Sequence, residues 1–128
     1  MPVIRRKDMS TDEGLGGNSV QSLARAELGT ESLTVSEVTV PPGGSILLHT
    51  HPGHEEVMVV SEGTLQARLG DETTTVVVGD TVIAPDGETH GMTNTSDKPA
   101  KILAIFPTTD VQRQLVEGQA RSGPRPLP

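Results

Sequence analysis

The chain has no Cys, no Trp and no Tyr, and Phe106 is its only aromatic residue apart from histidine. Without Cys there is no disulfide scaffold, no thiol nucleophile and no Cys-ligated zinc or iron–sulfur site. Without aromatic platforms, base-stacking recognition of single-stranded nucleic acid has nothing to build on. Positive charge is also scarce: 10 Lys and Arg stand against 17 Asp and Glu, a net charge of −7. Phosphate-backbone binding needs clustered cations, so no nucleic-acid partner is expected. Long hydrophobic runs are missing as well. The longest aliphatic stretches, such as Val76-Val77-Val78, fall far short of a membrane span. The basic start MPVIRRKDMS has no apolar stretch of signal-peptide length behind it, so a cytoplasmic location and no membrane partner are expected.

What is present is Val (14 residues), Thr (15), Gly (14) and Pro (10) in 128 residues. Val and Thr favour pleated structure. Turn signals recur at Pro41-Pro42-Gly43-Gly44, Pro52-Gly53, Glu62-Gly63, Gly70-Asp71, Gly79-Asp80, Pro85-Asp86-Gly87 and from Asn94 to Pro99. The runs between them predict strands over 32–40, 46–51, 56–61, 64–69, 73–78, 81–84, 91–94 and 101–106. This is an all-β rhythm, a sandwich or barrel. Residues 20–28 fit a strand, with Val20, Ser22, Ala24 and Ala26 on one face. They also fit a helix closed by Gly29 as C-cap; their strand neighbours favour the strand. Thr109 reads as the cap of a short helix over 110–116. The division expected is an N-terminal strand or flexible arm over 1–19, a barrel over 20–107, and a short helix with a disordered Pro/Gly-rich tail over 108–128.

Three of the four His fall within six residues, His49-Thr50-His51-Pro52-Gly53-His54, followed by Glu55-Glu56. On a strand His49 and His51 point the same way, which makes half of a metal site. His90 follows the Pro85-Asp86-Gly87 turn, 39 residues after His51. Taken alone, a His-x-His pair is as well explained by a polar strand face.

The spacing around it is more specific. Gly43 is followed after five residues by His49-x-His51, after four more by Glu56 and after six more by Gly63. Gly79 is followed after five residues by Pro85-x-Gly87, after two more by His90 and after three more by Asn94. These ten positions resemble the two motifs of the cupin superfamily, with no departure, across residues 43–94. The resemblance implies a double-stranded β-helix, or jelly-roll, barrel. It also implies His49, His51, Glu56 and His90 as ligands of one divalent ion, Fe, Mn, Ni, Zn or Cu. Such a set leaves coordination positions for water or substrate. Glu55 and Glu56 both fit the spacing from His51, and the gap to Gly63 fits only Glu56.

Strand parity from Glu56 then turns Met58 and Val60 inward and Val57 and Val59 outward. Leu47, Met58, Val60, Met92, Asn94 and Phe106 are the expected pocket residues, Asn94 with a structural alternative. His54 and Glu55 are the candidate acid/base groups, although an exposed loop imidazole is the plainer account of His54. Arg5-Arg6-Lys7 reads as a solvated start of the chain, and the alternation of Gln66 and Arg68 with Leu65, Ala67 and Leu69 as one wet and one dry strand face.

The function expected from the resemblance is a metalloenzyme with isomerase, lyase or dioxygenase chemistry, or else a non-catalytic metal- or ligand-binding module. A fold supports many reactions, so it does not choose among them. The shortage of rings disfavours flat aromatic substrates and leaves a small carboxylate or carbonyl compound. The doubly apolar strand at 57–60 suggests a covered outer face, hence a homodimer, with the segment around Val3-Ile4 crossing to the partner.

Overall fold

A computed structural model describes residues 2–119. Its strands are β1 (Asp12–Glu13), β2 (Ser19–Ala24), β3 (Thr34–Val40), β4 (Ser45–Thr50), β5 (Glu56–Glu62), β6 (Thr64–Leu69), β7 (Glu72–Val77), β8 (Thr81–Ala84), β9 (His90–Thr93), β10 (Ala100–Phe106) and β11 (Gln114–Leu115). They form two facing sheets in the orders β1-β2-β3-β10-β5-β8 and β11-β4-β9-β6-β7, with antiparallel pairing throughout the named strands. This is the jelly-roll barrel that the resemblance implies, and it agrees with the all-β sandwich or barrel read from the strand rhythm.

Alternation sets the interior. β10 buries Ala100, Ile102, Ala104 and Phe106, and β5 buries Glu56, Met58 and Val60. The aliphatic core adds Val38, Val40, Leu65, Ala67, Val76 and Met92. Val57 and Val59 face outward, as parity requires. Two glycines are needed for close approach rather than for a turn alone. A Cβ on Gly63 would meet the Pro99 carbonyl at 2.6 Å, and Gly63 also has φ +75°. A Cβ on Gly91 would meet the Ile46 carbonyl at 2.7 Å. Gly91 therefore lets β4 lie against β9, where the register shifts by a bulge between Ile46 and His49 and sets His49 opposite His90.

The ambiguous segment 20–28 divides: β2 takes its first half, and a single 3₁₀ turn over Ala26–Leu28 ends at Gly29 in the left-handed conformation. The N-terminal segment lies along the barrel. Asn18 donates to the Leu15 and Ser45 carbonyls, each at 2.8 Å, and the Ser45 N–H donates to the Gly16 carbonyl. Val3 and Ile4 are exposed and belong to no strand, and Arg6 reaches Glu37 at 3.0 and 3.3 Å.

The helix expected over 110–116 does not form. The segment runs extended across the ligand end of the barrel and adds β11 to the edge of β4. Its backbone bonds outward instead of to itself: the Val116 N–H donates to the Leu48 carbonyl, and the Gln119 side chain bonds both the N–H and the carbonyl of Leu48. Helical bonding would forfeit all of these. Of the tail expected to be disordered, Gly118 and Gln119 are thus placed, and 120–128 lie outside the described residues.

Candidate metal centre

His49 ends the inward face of β4, His51 follows one residue beyond that strand, Glu56 opens β5 and His90 opens β9. All four are buried, between 2% and 5% exposed. Three imidazole nitrogens and a carboxylate oxygen from these residues lie within 4.8 Å of one another, so the group could hold a metal ion. His49 Nε2 stands 3.1 Å from His51 Nε2, and Glu56 Oε1 stands 3.2 Å from His51 Nε2 and 2.7 Å from His90 Nε2.

The other ring nitrogens explain this convergence. His49 Nδ1 meets the Leu47 carbonyl at 2.6 Å, His51 Nδ1 the Gln112 carbonyl at 2.6 Å, and His90 Nδ1 the Glu88 carbonyl at 2.9 Å. A carbonyl only accepts, so each Nδ1 carries a hydrogen and Nε2 is the nitrogen turned toward the other donors, where a neutral ring offers its lone pair to a metal. With a cation among them, the Nε2 lone pairs and the carboxylate would point at the ion in place of the ring-to-ring and ring-to-carboxylate hydrogen bonds. Metal–ligand lengths of ~2.1 Å place adjacent ligand atoms about 3 Å apart, so the donor set fits a divalent ion.

Electrostatics sets the states of His49 and Glu56 in the metal-free group. His49 is lowered from 6.5 to about 4, first by burial and then by the charge of His90, with Arg113 and His51 adding to it against the Leu47 carbonyl bond. Burial acts to raise Glu56, but hydrogen bonds from His51 and His90 outweigh it and bring the carboxyl from 4.5 to about 2. At neutral pH His49 is a free base and Glu56 an anion, the forms that bind metal.

A cavity of about 60 Å³ adjoins the group, with His49, Glu56, Met58, Met92, Phe106 and Arg113 in its lining. Among the expected pocket residues, Met58, Met92 and Phe106 therefore reach it. Leu47 lines the adjoining cavity of about 60 Å³ instead. Val60 and Asn94 are buried but line neither cavity, because each lies four residues along its strand from a ligand, ~13 Å toward the other end of the barrel. Asn94 holds the turn after β9. It donates to the Val40 and Lys98 carbonyls at 2.8 and 2.7 Å and accepts from the Ser96 N–H and hydroxyl.

Glu56, not Glu55, joins the ligand group. Glu55 and His54 line an outer bowl of about 540 Å³ with Asp86, Asp110 and Gln112. The His54 ring stacks on His51 at 5.2 Å. Its Nε2 accepts the Gln112 N–H at 3.1 Å and its Nδ1 meets the Glu55 carbonyl at 3.0 Å, so both nitrogens are engaged by backbone. That geometry ties down the segment after β10 and leaves His54 no free nitrogen for proton transfer. Sequence reasoning missed Gln112 and Arg113, whose positions are set by this segment and not by any motif spacing.

The cupin domain family model matches residues 36–106, and the chain belongs to that family. Over 109 residues it is 34% identical to an auxin-binding protein, ABP19b, of Prunus persica, covering 81% of this chain and 46% of that protein. It thus spans under half the length of that curated relative. Among solved structures, the polyketide cyclase RemF of Streptomyces resistomycificus superposes with a TM-score of 0.76 at 24% identity, over 92% of this chain and 88% of that one. An oxalate oxidase superposes with a TM-score of 0.75 at 22% identity, over 89% of this chain and 62% of that one. At these identities the likeness is one of fold. No helix among the described residues is long and apolar enough to cross a membrane.

Proposed function

We propose that His49, His51, Glu56 and His90 bind one divalent metal ion and that the protein is a metalloenzyme acting on a small carboxylate or carbonyl compound. The observation that carries this reading is the convergence of four buried donors within 4.8 Å of one another, with Nδ1 of each imidazole held by a backbone carbonyl. When bound, the ion would supply Lewis-acid activation of a carbonyl or carboxylate oxygen. The chain's own contribution is to hold four ligands in the metal-binding protonation state and to bound a space for only a small reactant. The fold neighbours include a cyclase and an oxidase of oxalate, a small dicarboxylate, which supports the class without choosing the reaction.

Elemental analysis tests the reading. Wild type purified with Fe, Mn, Ni or Zn present should hold close to one ion per chain, and His51→Ala almost none. Equal metal in both would falsify the ligand assignment. Loss of small-acid turnover in His90→Ala would then mark an enzyme.

One observation favours the second reading, a non-catalytic metal- or ligand-binding module. No free acid/base group reaches the inner cavity, since His54 is tied to backbone and Glu55 faces the outer bowl. We also propose a homodimer through the outer face of the six-stranded sheet. There Val35, Ile105, Val57 and Ile83 form an apolar row across four strands, and Ile83 is 55% exposed. A solution mass of 13.4 kDa, the single chain, would contradict it.

A further inference from the structure

Arg113 stands at the entrance to the ligand group. It lines the inner cavity with His49 and Glu56, the adjoining cavity of about 60 Å³ with Leu47 and Leu115, and the outer groove with Leu15. These spaces follow one another between the N-terminal segment at Gly14, Leu15 and Asn18 and the extended segment after β10. No other Lys or Arg lines any of the three. Among the described residues, the Arg113 side chain has no hydrogen bond or ion pair.

Its backbone is held on both sides. The Gln112 carbonyl meets His51 Nδ1, the Gln112 N–H donates to His54, and Gln114 pairs with Thr50. The guanidinium is placed by fixed backbone beside walls of Val20, Val38, Ile46 and Met92, and neither Glu56 in the inner cavity nor Glu117 in the outer groove forms an ion pair with it. A guanidinium fork matches a carboxylate bidentately. The two adjoining cavities of about 60 Å³ each together have room for only a small molecule.

We propose that Arg113 binds the carboxylate of a small anionic substrate that enters between the N-terminal segment and the segment after β10. This rests on the metal-centre reading. A dication less the charge of Glu56 leaves the centre positive, so a molecule with a carboxylate and a neighbouring oxygen answers both ends of the site.

The test is binding, not turnover. Wild type, Arg113→Gln and Arg113→Lys are loaded with Co(II), their metal content is measured, and each is titrated with pyruvate, with its neutral isostere pyruvamide and with inorganic phosphate. Calorimetry and the visible Co(II) spectrum supply the readouts. Pyruvate should bind wild type more tightly than pyruvamide does. Arg113→Gln should weaken pyruvate about ten- to a hundredfold and leave pyruvamide unchanged, and Arg113→Lys should fall between. Equal pyruvate affinity in wild type and Arg113→Gln overturns the proposal. So does a wild type that prefers pyruvamide or phosphate, or that binds none of the three. A wild type that takes up no metal overturns the metal-centre reading itself, which the metal measurement reports separately from the titrations.

Discussion

The barrel buries polar groups at both ends, and the two ends treat them differently. At one end Asn94, 0% exposed, has four side-chain hydrogen bonds, to Val40, Lys98 and twice to Ser96. Its backbone also exchanges bonds with Gly43 and Gly44, so the first motif's turn is closed by the second motif's last residue. Everything there is satisfied by the chain itself. At the other end His49, His51 and His90 each fix one ring nitrogen on a backbone carbonyl, and the second nitrogens bond only one another and Glu56. The first end is therefore a fastening, whereas the second gathers three imidazoles and a carboxylate that could hold a cation. The aliphatic layer of Val40, Val60, Leu65 and Ile102 separates them.

The largest expected effect breaks the comparison at the site. His51→Ala should take bound metal from near one equivalent to near none. Saturating metal should raise the thermal midpoint of wild type and leave that of the variant where it was, because a ligand stabilises only the state that binds it. Asn94→Ala should do the reverse. It removes the donor to the Val40 and Lys98 carbonyls and the acceptor of the Ser96 N–H and hydroxyl, at a cost on the order of 3 kcal/mol or a midpoint lower by roughly 10 °C. Metal stoichiometry in the surviving folded protein should hold. An Asn94→Ala protein that loses metal but keeps its midpoint would erase the distinction between the two ends.

Next in size is the acid response of the metal-free protein. His49 binds a proton near pH 6.5 when unfolded and only near about 4 when folded, so the unfolded state takes up more protons between those values. Stability therefore falls as pH drops from 6.5 toward 4. Glu56, held near about 2 against 4.5, adds a second loss below pH 4.5 with the same sign. Urea midpoints measured from pH 7 to pH 3 should decline throughout, and His49→Gln should flatten the upper part alone. A flat profile from pH 7 to pH 4.5 would mean that the His49 environment is wetter than its 3% exposure indicates.

These residues also show what was legible in the sequence. Strands β3 to β10 were readable because alternation and turn residues act locally, and the four converging residues because the spacing from Gly43 to Asn94 resembles the two cupin motifs. Glu56 over Glu55 followed from the motif's six-residue gap to Gly63, a position where a Cβ would meet the Pro99 carbonyl. The segment after β10 was not readable. Thr109 and the apolar Val111 and Leu115 suit a helix, but the Gln112 carbonyl is drawn to His51, the Val116 N–H to Leu48 and β11 to β4. Those demands come from residues some 60 positions earlier, so no local pattern records them. Arg113 went unnoticed for the same reason, and so did the separation of Val60 and Asn94 from the cavity, which needs the barrel axis as well as strand parity.

The smallest expected effect is at His54, and it separates fastening from chemistry on the same side of the barrel. His54→Ala removes the acceptor of the Gln112 N–H and the ring stacked on His51. The site is open to the outer bowl, so water can replace the lost bond and the stability cost should be about 1 kcal/mol or less. The Gln112 carbonyl that orients His51 would be held less firmly, and metal affinity should fall only a few-fold. Loss of a general acid or base costs a hundredfold or more in rate. If His54→Ala retains most of whatever turnover the wild type shows while its metal affinity slips, His54 fastens the segment that carries Gln112 and Arg113. A hundredfold loss of rate with metal affinity intact would instead restore it as the proton-transfer group, and would require that its backbone bonds open when substrate binds.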